Sequence, residues 1–444
     1  MSSERRSQFS SINSQFWRLL LLRLLGALAR PLVRRKTARV ASVLYIKPDH
    51  LGDLLLATPV LAALRQRLPN ARITALVGPW SYMALQRNPD LDVLLTCPFP
   101  GFERRPKDEG RRTKDEGRAV LQVLSSFVFR LSSLMKPYST LIRYALLLRA
   151  GHHDLAIIGR DDHWWGAALA LLAGVPSRIG YAVPECRPFL TTALPWNPRD
   201  HVTAQGLALV DAVGSHSPSL STTAAGVREH VVRLALNPQL STLNSQFSAR
   251  FDPSQDDITW ADGWIVEHGL ADAPLVVLHP GTGGPAKLWF AERWAIVADA
   301  IQAAGARLVL TGGPDELTLV AEVAAYMQSA ALALAGQTSV GQLAALMRRA
   351  TLVLGVDSGP LHLAAAQGVP TLHLYGPGDA DRFGPWGNRV RHLVLRADLW
   401  CSPCGEFAAC PRGLAQPECM ERISAARVAE HALGMLDATG KVTR

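Results

Sequence analysis

The sequence predicts an α/β protein made of two parallel-sheet domains. Three observations point there. The chain has 444 residues, enough for two separate cores. Short continuous apolar runs alternate with helical patterns, as in strands buried on both faces. A second series of the same kind begins after a weakly patterned stretch near residues 215–255.

The first series opens with the strand Val43-Leu44-Tyr45-Ile46. A helix is expected from Leu54 to Leu68, with Leu54, Leu61, Leu64 and Leu68 on one face. Ile73 to Val77 is the next strand, and Leu155-Ala156-Ile157-Ile158 repeats the theme after a long helical stretch. The second series starts at Leu275-Val276-Val277-Leu278. It continues through a helix near Trp294–Ala304, the strand Leu308-Val309-Leu310, a helix at Leu317–Met327 and the strand Leu352-Val353-Leu354. Two Rossmann-like domains with parallel sheets follow, and the 48% hydrophobic content is ordinary for a globular chain. Open parallel sheets bind ligands beyond the carboxyl ends of their strands, so the informative loops are those just after strands.

Charge divides the chain. Residues 1–150 hold 25 Lys and Arg against 10 Asp and Glu, and the remainder holds 21 against 27. A basic first part implies an anionic partner: an acidic membrane surface, a phosphorylated lipid or a nucleic acid. No nucleic-acid recognition module is found. The run from Trp17 to Arg30 is apolar but broken by Arg18 and Arg23, too short and too charged to span a bilayer. With Arg34, Arg35, Lys36 and Arg39 behind it, the run reads as an interfacial helix on an anionic membrane. Two rivals stand beside that reading. One is a signal peptide, which Arg23 inside the apolar run opposes. The other is a helix packed on the protein's own body. The expected division is a basic amphipathic arm at 1–39, a first domain at 40–255 with an inserted loop near 101–118, and a second domain at 256–444 ending in a cysteine-containing tail.

That loop is a near-verbatim charged repeat, Arg104–Gly110 against Arg111–Gly117, which cannot bury a core. Asn13-Ser14-Gln15-Phe16 recurs as Asn244-Ser245-Gln246-Phe247. Both copies read as surface insertions.

Four places after strands or near the end could carry chemistry. In Lys47-Pro48-Asp49-His50-Leu51-Gly52-Asp53, Gly52 permits close backbone approach. Asp53 is either a helix cap or a general base at the ligand edge of the sheet. In His279-Pro280-Gly281-Thr282-Gly283-Gly284-Pro285-Ala286-Lys287, small residues let backbone amides face a phosphate and Lys287 balances its charge. The bland reading is a flexible loop with an incidental lysine. In Gly355-Val356-Asp357-Ser358-Gly359-Pro360-Leu361-His362, Pro360 suits the first turn of a helix whose amides would face an anion. Here Asp357 and Ser358 could serve only as caps, and His362 could be a buried bystander. Leu374–Asp379 adds another small-residue loop. Cys401, Cys404, Cys410 and Cys419 hold one Cys-x-x-Cys half of a zinc-like spacing and an irregular second half. Thiols, disulfides or a structural metal all remain open there, while Cys97 and Cys186 read as core residues.

Taken in order, these segments resemble glycosyltransferase family 9, the bacterial lipopolysaccharide heptosyltransferases. The Lys-x-x-x-Leu-Gly-Asp turn, the His-Pro-Gly loop ending in Lys287, the helix start at Trp289 and Trp294, Val356–Ala366, Tyr375-Gly376-Pro377 and the Cys-x-x-Cys tail carry the resemblance, which runs from about Val43 to Leu436. It implies a GT-B fold with a central cleft, acceptor on the first domain and donor on the second. It also implies inversion at the anomeric carbon, no catalytic metal and no cofactor, with a nucleotide sugar such as ADP-heptose as donor. The acceptor would be a lipid-linked core glycan, met at the cytoplasmic face of the inner membrane. Residue by residue, the resemblance makes Asp53 the base. Lys287, Asp357, Ser358, Gly359 and His362 become the donor-phosphate site, with Thr282 and Glu316 nearer the nucleotide. The Arg104–Arg118 insertion departs from the family pattern. Asp90-Leu91-Asp92 looks like a metal-binding Asp-x-Asp but does not sit at a strand's end. Two further classes share the fold: a nucleotide-sugar epimerase, which would need a second acid/base and no acceptor, and a binding protein whose transferase activity has decayed. A dinucleotide dehydrogenase lacks its Gly-x-Gly-x-x-Gly.

Overall fold

A computed structural model describes residues 17–37, 39–102, 136–213 and 247–438. The Arg104–Arg118 repeat, Asn13–Phe16 and all but Phe247 of its second copy lie outside the described residues, as does most of the 215–255 stretch.

Two six-stranded sheets result, and every pairing is parallel. The first contains β1 (Ser42–Lys47), β2 (Arg72–Val77), β3 (Val93–Thr96), β4 (Leu155–Ile158), β5 (Ser177–Tyr181) and β6 (Thr192–Leu194), in the order β3-β2-β1-β4-β5-β6. The second contains β7 (Leu275–His279), β8 (Arg307–Leu310), β9 (Leu332–Ala333), β10 (Leu352–Val356), β11 (Thr371–Tyr375) and β12 (His392–Arg396), in the order β12-β11-β10-β7-β8-β9. Each order reverses direction once, between β1 and β4 and between β7 and β10. Chain leaving two adjacent strands toward opposite sides opens a crevice there, which is where such sheets bind ligands.

Helices cover both faces, as the unbroken apolar strands require. Residues 17–28 form α1. In the first half follow α2 (Leu51–Leu55), α3 (Thr58–Arg67), α4 (136–149), α5 (Trp164–Leu172) and α6 (Val202–Asp211). The second half has α7 (Gln255–Glu267), α8 (Ala291–Ala303), α9 (Leu317–Tyr326), α10 (Val340–Arg349), α11 (Gly359–Ala366), α12 (Ala380–Phe383), α13 (Glu418–Glu421) and α14 (Ala425–Asp437). The single helix expected from Leu54 to Leu68 is two. Pro59 has no amide to donate to the Leu55 carbonyl, and the Thr58 hydroxyl takes that acceptor at 2.7 Å instead, so the chain turns between α2 and α3. α2 therefore becomes a short helix of its own, starting at the end of β1.

One apolar cluster joins the halves. It runs from Val43, Leu54 and Leu61 beside the first sheet to Leu346, Val353 and Leu361 beside the second. Polar contacts also cross: the Arg382 guanidinium meets Asp161 at 3.1 Å, and the His201 ring lies 3.0 Å from the Gly384 carbonyl. The carboxyl ends of the two sheets therefore face each other.

Candidate active site

The site forms where the two switch points meet. At the first, the loop after β1 and the loop after β4 lie side by side. Lys47, the last residue of β1, is buried and pairs with Asp49 at 2.9 Å while donating to the Gly159 carbonyl at 3.0 Å. Arg160, following β4, grips the other oxygen of Asp49 and holds Asp162 at 2.6 Å. Burial alone would push the Asp49 carboxyl up, but the two cations bring it down to about 2. Burial works against the Lys47 ammonium, yet Asp49 and its neighbours hold it above the ordinary lysine value.

Asp53 sits next to this locked charge cluster, in the first turn of α2. The N-cap of α2 is His50, which makes no side-chain cap bond, so Asp53 is not the cap. Its carboxyl titrates at about 6, against 3.8 for a free aspartate. Burial is the main cause and the Asp49 charge adds to it. Lys47 and Arg160 pull the other way, and Asp357 across the cleft pushes it up again. A carboxylate with that value is a better proton acceptor near neutrality than an ordinary aspartate.

The second switch point supplies positive potential and amides. β7 ends in His279, and its loop carries Lys287 to 3.2 Å from Asp357, which follows β10. The Thr282 hydroxyl donates to the Asp357 carbonyl at 3.0 Å, tying the two loops together. Lys287 also lies over the Phe407 ring at 4.7 Å, while the Ala286 amide donates to the Phe407 carbonyl at 3.0 Å. Glu316 is braced against the His-Pro-Gly turn: it accepts from the Gly313 amide at 2.7 Å and lies 3.4 Å from His279. Burial would raise its carboxyl, but His279 and that amide hold it low. Gly281 makes this possible, because a β-carbon there would stand 2.0 Å from the Glu316 carboxyl carbon.

α11 begins at Gly359 with Pro360 in its first turn, as the sequence suggests. Ser358 is its N-cap residue, but its hydroxyl caps nothing and is buried without a partner. His362, one turn in, is likewise buried, with its Nδ1 unpartnered. Burial, then Lys287, lowers it to about 4 against the opposing pull of Asp357, so it is neutral at pH 7. Buried polar atoms without partners are rare and ask for an explanation. Two of them beside a lysine and the first turn of a helix make an arrangement that can take up an anion.

The two halves of the site touch through glycine. A β-carbon on Gly52 would lie 3.0 Å from the His362 ring and 3.4 Å from the Gly359 α-carbon, so α2 and α11 pack end against end because residue 52 has none. The structure thus brings Asp53, Lys287, Asp357, Ser358, Gly359 and His362 together. Thr282 and Glu316 lie on the loops after β7 and β8 with their polar groups engaged in bracing them.

Two features were not singled out from sequence: the Lys47–Asp49–Arg160 cluster, and the aromatic wall beside it. Trp80 donates to the Pro48 and Asp49 carbonyls at 3.2 Å, and Phe102 stacks on Trp80 at 6.5 Å while Arg160 lies over its ring at 5.2 Å. The rule that loops after strands matter applied to Gly159–Asp162 after β4, and would have found Arg160. Asp92 serves structure, accepting from the Ile73 amide at 2.7 Å and from Arg65 at 2.5 Å. Cys97 and Cys186 are buried, as expected of core residues. Cys401, Cys404, Cys410 and Cys419 are unbridged and line one cavity of about 30 Å³. Among the described residues, no three His, Cys, Asp or Glu side chains are gathered closely enough to hold a metal ion.

Residues 142–410 match the profile of "Glycosyltransferase family 9 (heptosyltransferase)". A lipopolysaccharide heptosyltransferase 3 of Escherichia coli is 26% identical over 347 residues, covering 76% of this chain and 84% of that protein. A family 9 glycosyl transferase from Veillonella parvula superposes with a TM-score of 0.67 at 23% identity, over 91% of this chain and 100% of the other. The ADP-heptose lipopolysaccharide heptosyltransferase II of E. coli does so with a TM-score of 0.62 at 19% identity, over 90% and 99%. The fold is GT-B, and with more than half its length matched, this chain belongs to glycosyltransferase family 9.

Proposed function

We propose that this glycosyltransferase moves heptose from ADP-heptose, with inversion and without a catalytic metal, onto a lipopolysaccharide-core or related cell-envelope glycan. The acceptor is lipid-linked and is met at an anionic membrane surface on the cytoplasmic side. Residues 40–255 bind the acceptor and residues 256–444 the donor. The observation that carries the reading is the opposition of two things across one cleft. Asp53 is a carboxylate held at about 6, and it faces a cradle of Lys287, the amides around Gly359 and the unpartnered Ser358 hydroxyl and His362 ring.

In the reaction, Asp53 accepts the acceptor hydroxyl's proton as that oxygen attacks the anomeric carbon from the face opposite the diphosphate. The bond from that carbon to the diphosphate oxygen breaks, and the nucleoside diphosphate departs with the electron pair. Lys287 and the first-turn amides of α11 meet the charge that develops on it. Such preorganised donors contribute about 2.7–4 kcal/mol each to the transition state. Ser358 gains the partner it lacks. Lys47, Asp49 and Arg160 keep their charges paired and fix the floor on which Asp53 stands.

The test is a donor screen on the purified chain, reading released nucleoside diphosphate with and without a lipid-linked core acceptor. ADP-heptose turnover that requires the acceptor is the expected result. Epimerised donor formed without acceptor would replace the reading with an epimerase, and donor binding without turnover would make the protein a binding one.

A further inference from the structure

α1 is both packed on the protein and apolar on its outer side. At about 100° per residue, Leu22, Gly26 and Ala29 fall within an arc of about 60°. All three are buried, and the chain approaches so closely that a β-carbon on Gly26 would lie 2.8 Å from the Pro188 carbonyl oxygen. Trp17, Leu21, Leu24 and Leu28 fall within a second arc of about 60°, centred about 140° from the first. These four are exposed, Leu28 by 76% and Leu24 by 53%. Arg18 and Arg23, both exposed, stand on the two flanks between the arcs. A helix that only packed on its own protein would carry polar residues on its outer face.

α4 repeats the pattern on the same layer. Leu141, Ala145 and Leu148 are buried in the apolar cluster that also holds Leu22 and Ala29. Ile142 and Leu146 are exposed by 58% and 66%. The two helices are tied, since Arg149 of α4 donates to the Leu32 carbonyl at 3.2 Å, just beyond α1. The other end of α4 packs toward the aromatic wall: the Trp165 indole donates to the Pro137 carbonyl at 3.2 Å, Trp165 packs edge-on against Phe99, and both rings meet His163, which also touches Phe102.

We infer that α1 and α4 together form a docking face that lies in the plane of an anionic lipid surface, leucines down and arginines at headgroup level. Charge selects this occupant. A second copy of the chain would bring Arg18, Arg23 and Arg143, all exposed on these two helices, against their own kind, whereas acidic headgroups neutralise them. Length fixes the mode: α1 spans about 18 Å, short of a hydrocarbon core of about 30 Å. Among the described residues no helix is long and apolar enough to cross a membrane. The inference rests on the reading of a lipid-borne acceptor for its purpose, because it seats the half of the chain that carries Asp53 on the lipid surface. Its test involves no sugar transfer, so the two stand or fall separately.

The experiment is sedimentation of the full chain with vesicles of phosphatidylcholine alone or mixed with phosphatidylglycerol, paired with melting curves. Wild type is expected to pellet with the mixed vesicles and far less with the neutral ones. Leu24→Glu/Leu28→Glu and Ile142→Glu/Leu146→Glu should each lower the partition on the order of tenfold or more, with melting unchanged. Unchanged pelleting of either double variant would overturn the proposal, as would equal binding to neutral vesicles. A marked fall in melting temperature would show that the protein itself covers these side chains. A dimer that the glutamates dissolve, with no lipid binding, would assign the face to a second copy.

Discussion

The position of the Asp53 titration is the sharpest consequence of the site. Asp53 moves from 3.8 to about 6, with burial and the Asp49 carboxylate on one side and Lys47 and Arg160 on the other. If it is the base, kcat/KM in saturating conditions for everything else should fall on an acid limb centred near pH 6. About nine-tenths of the enzyme would be active at pH 7 and about one-tenth at pH 5. His362, at about 4, is too low to produce that limb. Asp49→Asn removes the like charge and leaves the two cations, so the limb should move to lower pH by about one unit. Asp53→Asn should bind ADP as before and lose turnover by about a hundredfold or more. Folding responds with the opposite sign. A carboxyl whose folded value lies above its unfolded one stabilises the fold below pH 3.8, and that stability is lost as pH rises through about 6. At neutral pH Asp53→Asn should therefore melt higher than wild type, by about 2 °C or more. The assay is a pH–rate profile by released ADP, with a soluble acceptor fragment. A limb at pH 4.5 or below, unmoved by Asp49→Asn, would refute the assignment.

Lys287→Ala should weaken ADP far more than adenosine, by the roughly 1.5–3 kcal/mol of a charge-assisted contact, and calorimetry with both ligands decides it. Gly52→Ala puts a β-carbon 3.0 Å from the His362 ring; because the cleft must open by a few tenths of an ångström, kcat should drop about tenfold with ADP affinity little changed, which steady-state kinetics would show. Gly281→Ala has no such room beside Glu316; it should cost about 1–3 kcal/mol of stability in denaturant melts. Activity is expected to survive EDTA, and strict restoration by magnesium or manganese after chelation would count against a donor site built on Lys287 and helix amides alone.

Much of this protein was legible in its sequence for a simple reason. Strands buried on both faces must be apolar throughout, so Val43–Ile46, Leu275–Leu278 and their fellows announce parallel sheets, and the residues after them announce the ligand edge. Gly52, Pro360 and the His-Pro-Gly turn were readable because backbone geometry restricts which residues can stand there. Tertiary structure decided the rest, because it depends on what meets across space. The break between α2 and α3 is the exception, a local effect of Pro59 and the Thr58 hydroxyl that the sequence already carried. Asp53 could be read as a cap or a base from sequence, and only the fold shows that His50 takes the N-cap position and that Asp49, Lys47 and Asp357 surround the carboxyl. Arg160 lies 111 residues from Asp49 in the chain, and no local pattern links them. Of the three readings of the arm at α1, the membrane helix and the helix packed on the protein looked exclusive. Only the packed structure shows that it has two apolar faces, one buried on the protein and one turned outward, since a helical stripe can be counted from sequence but the surface that covers it cannot.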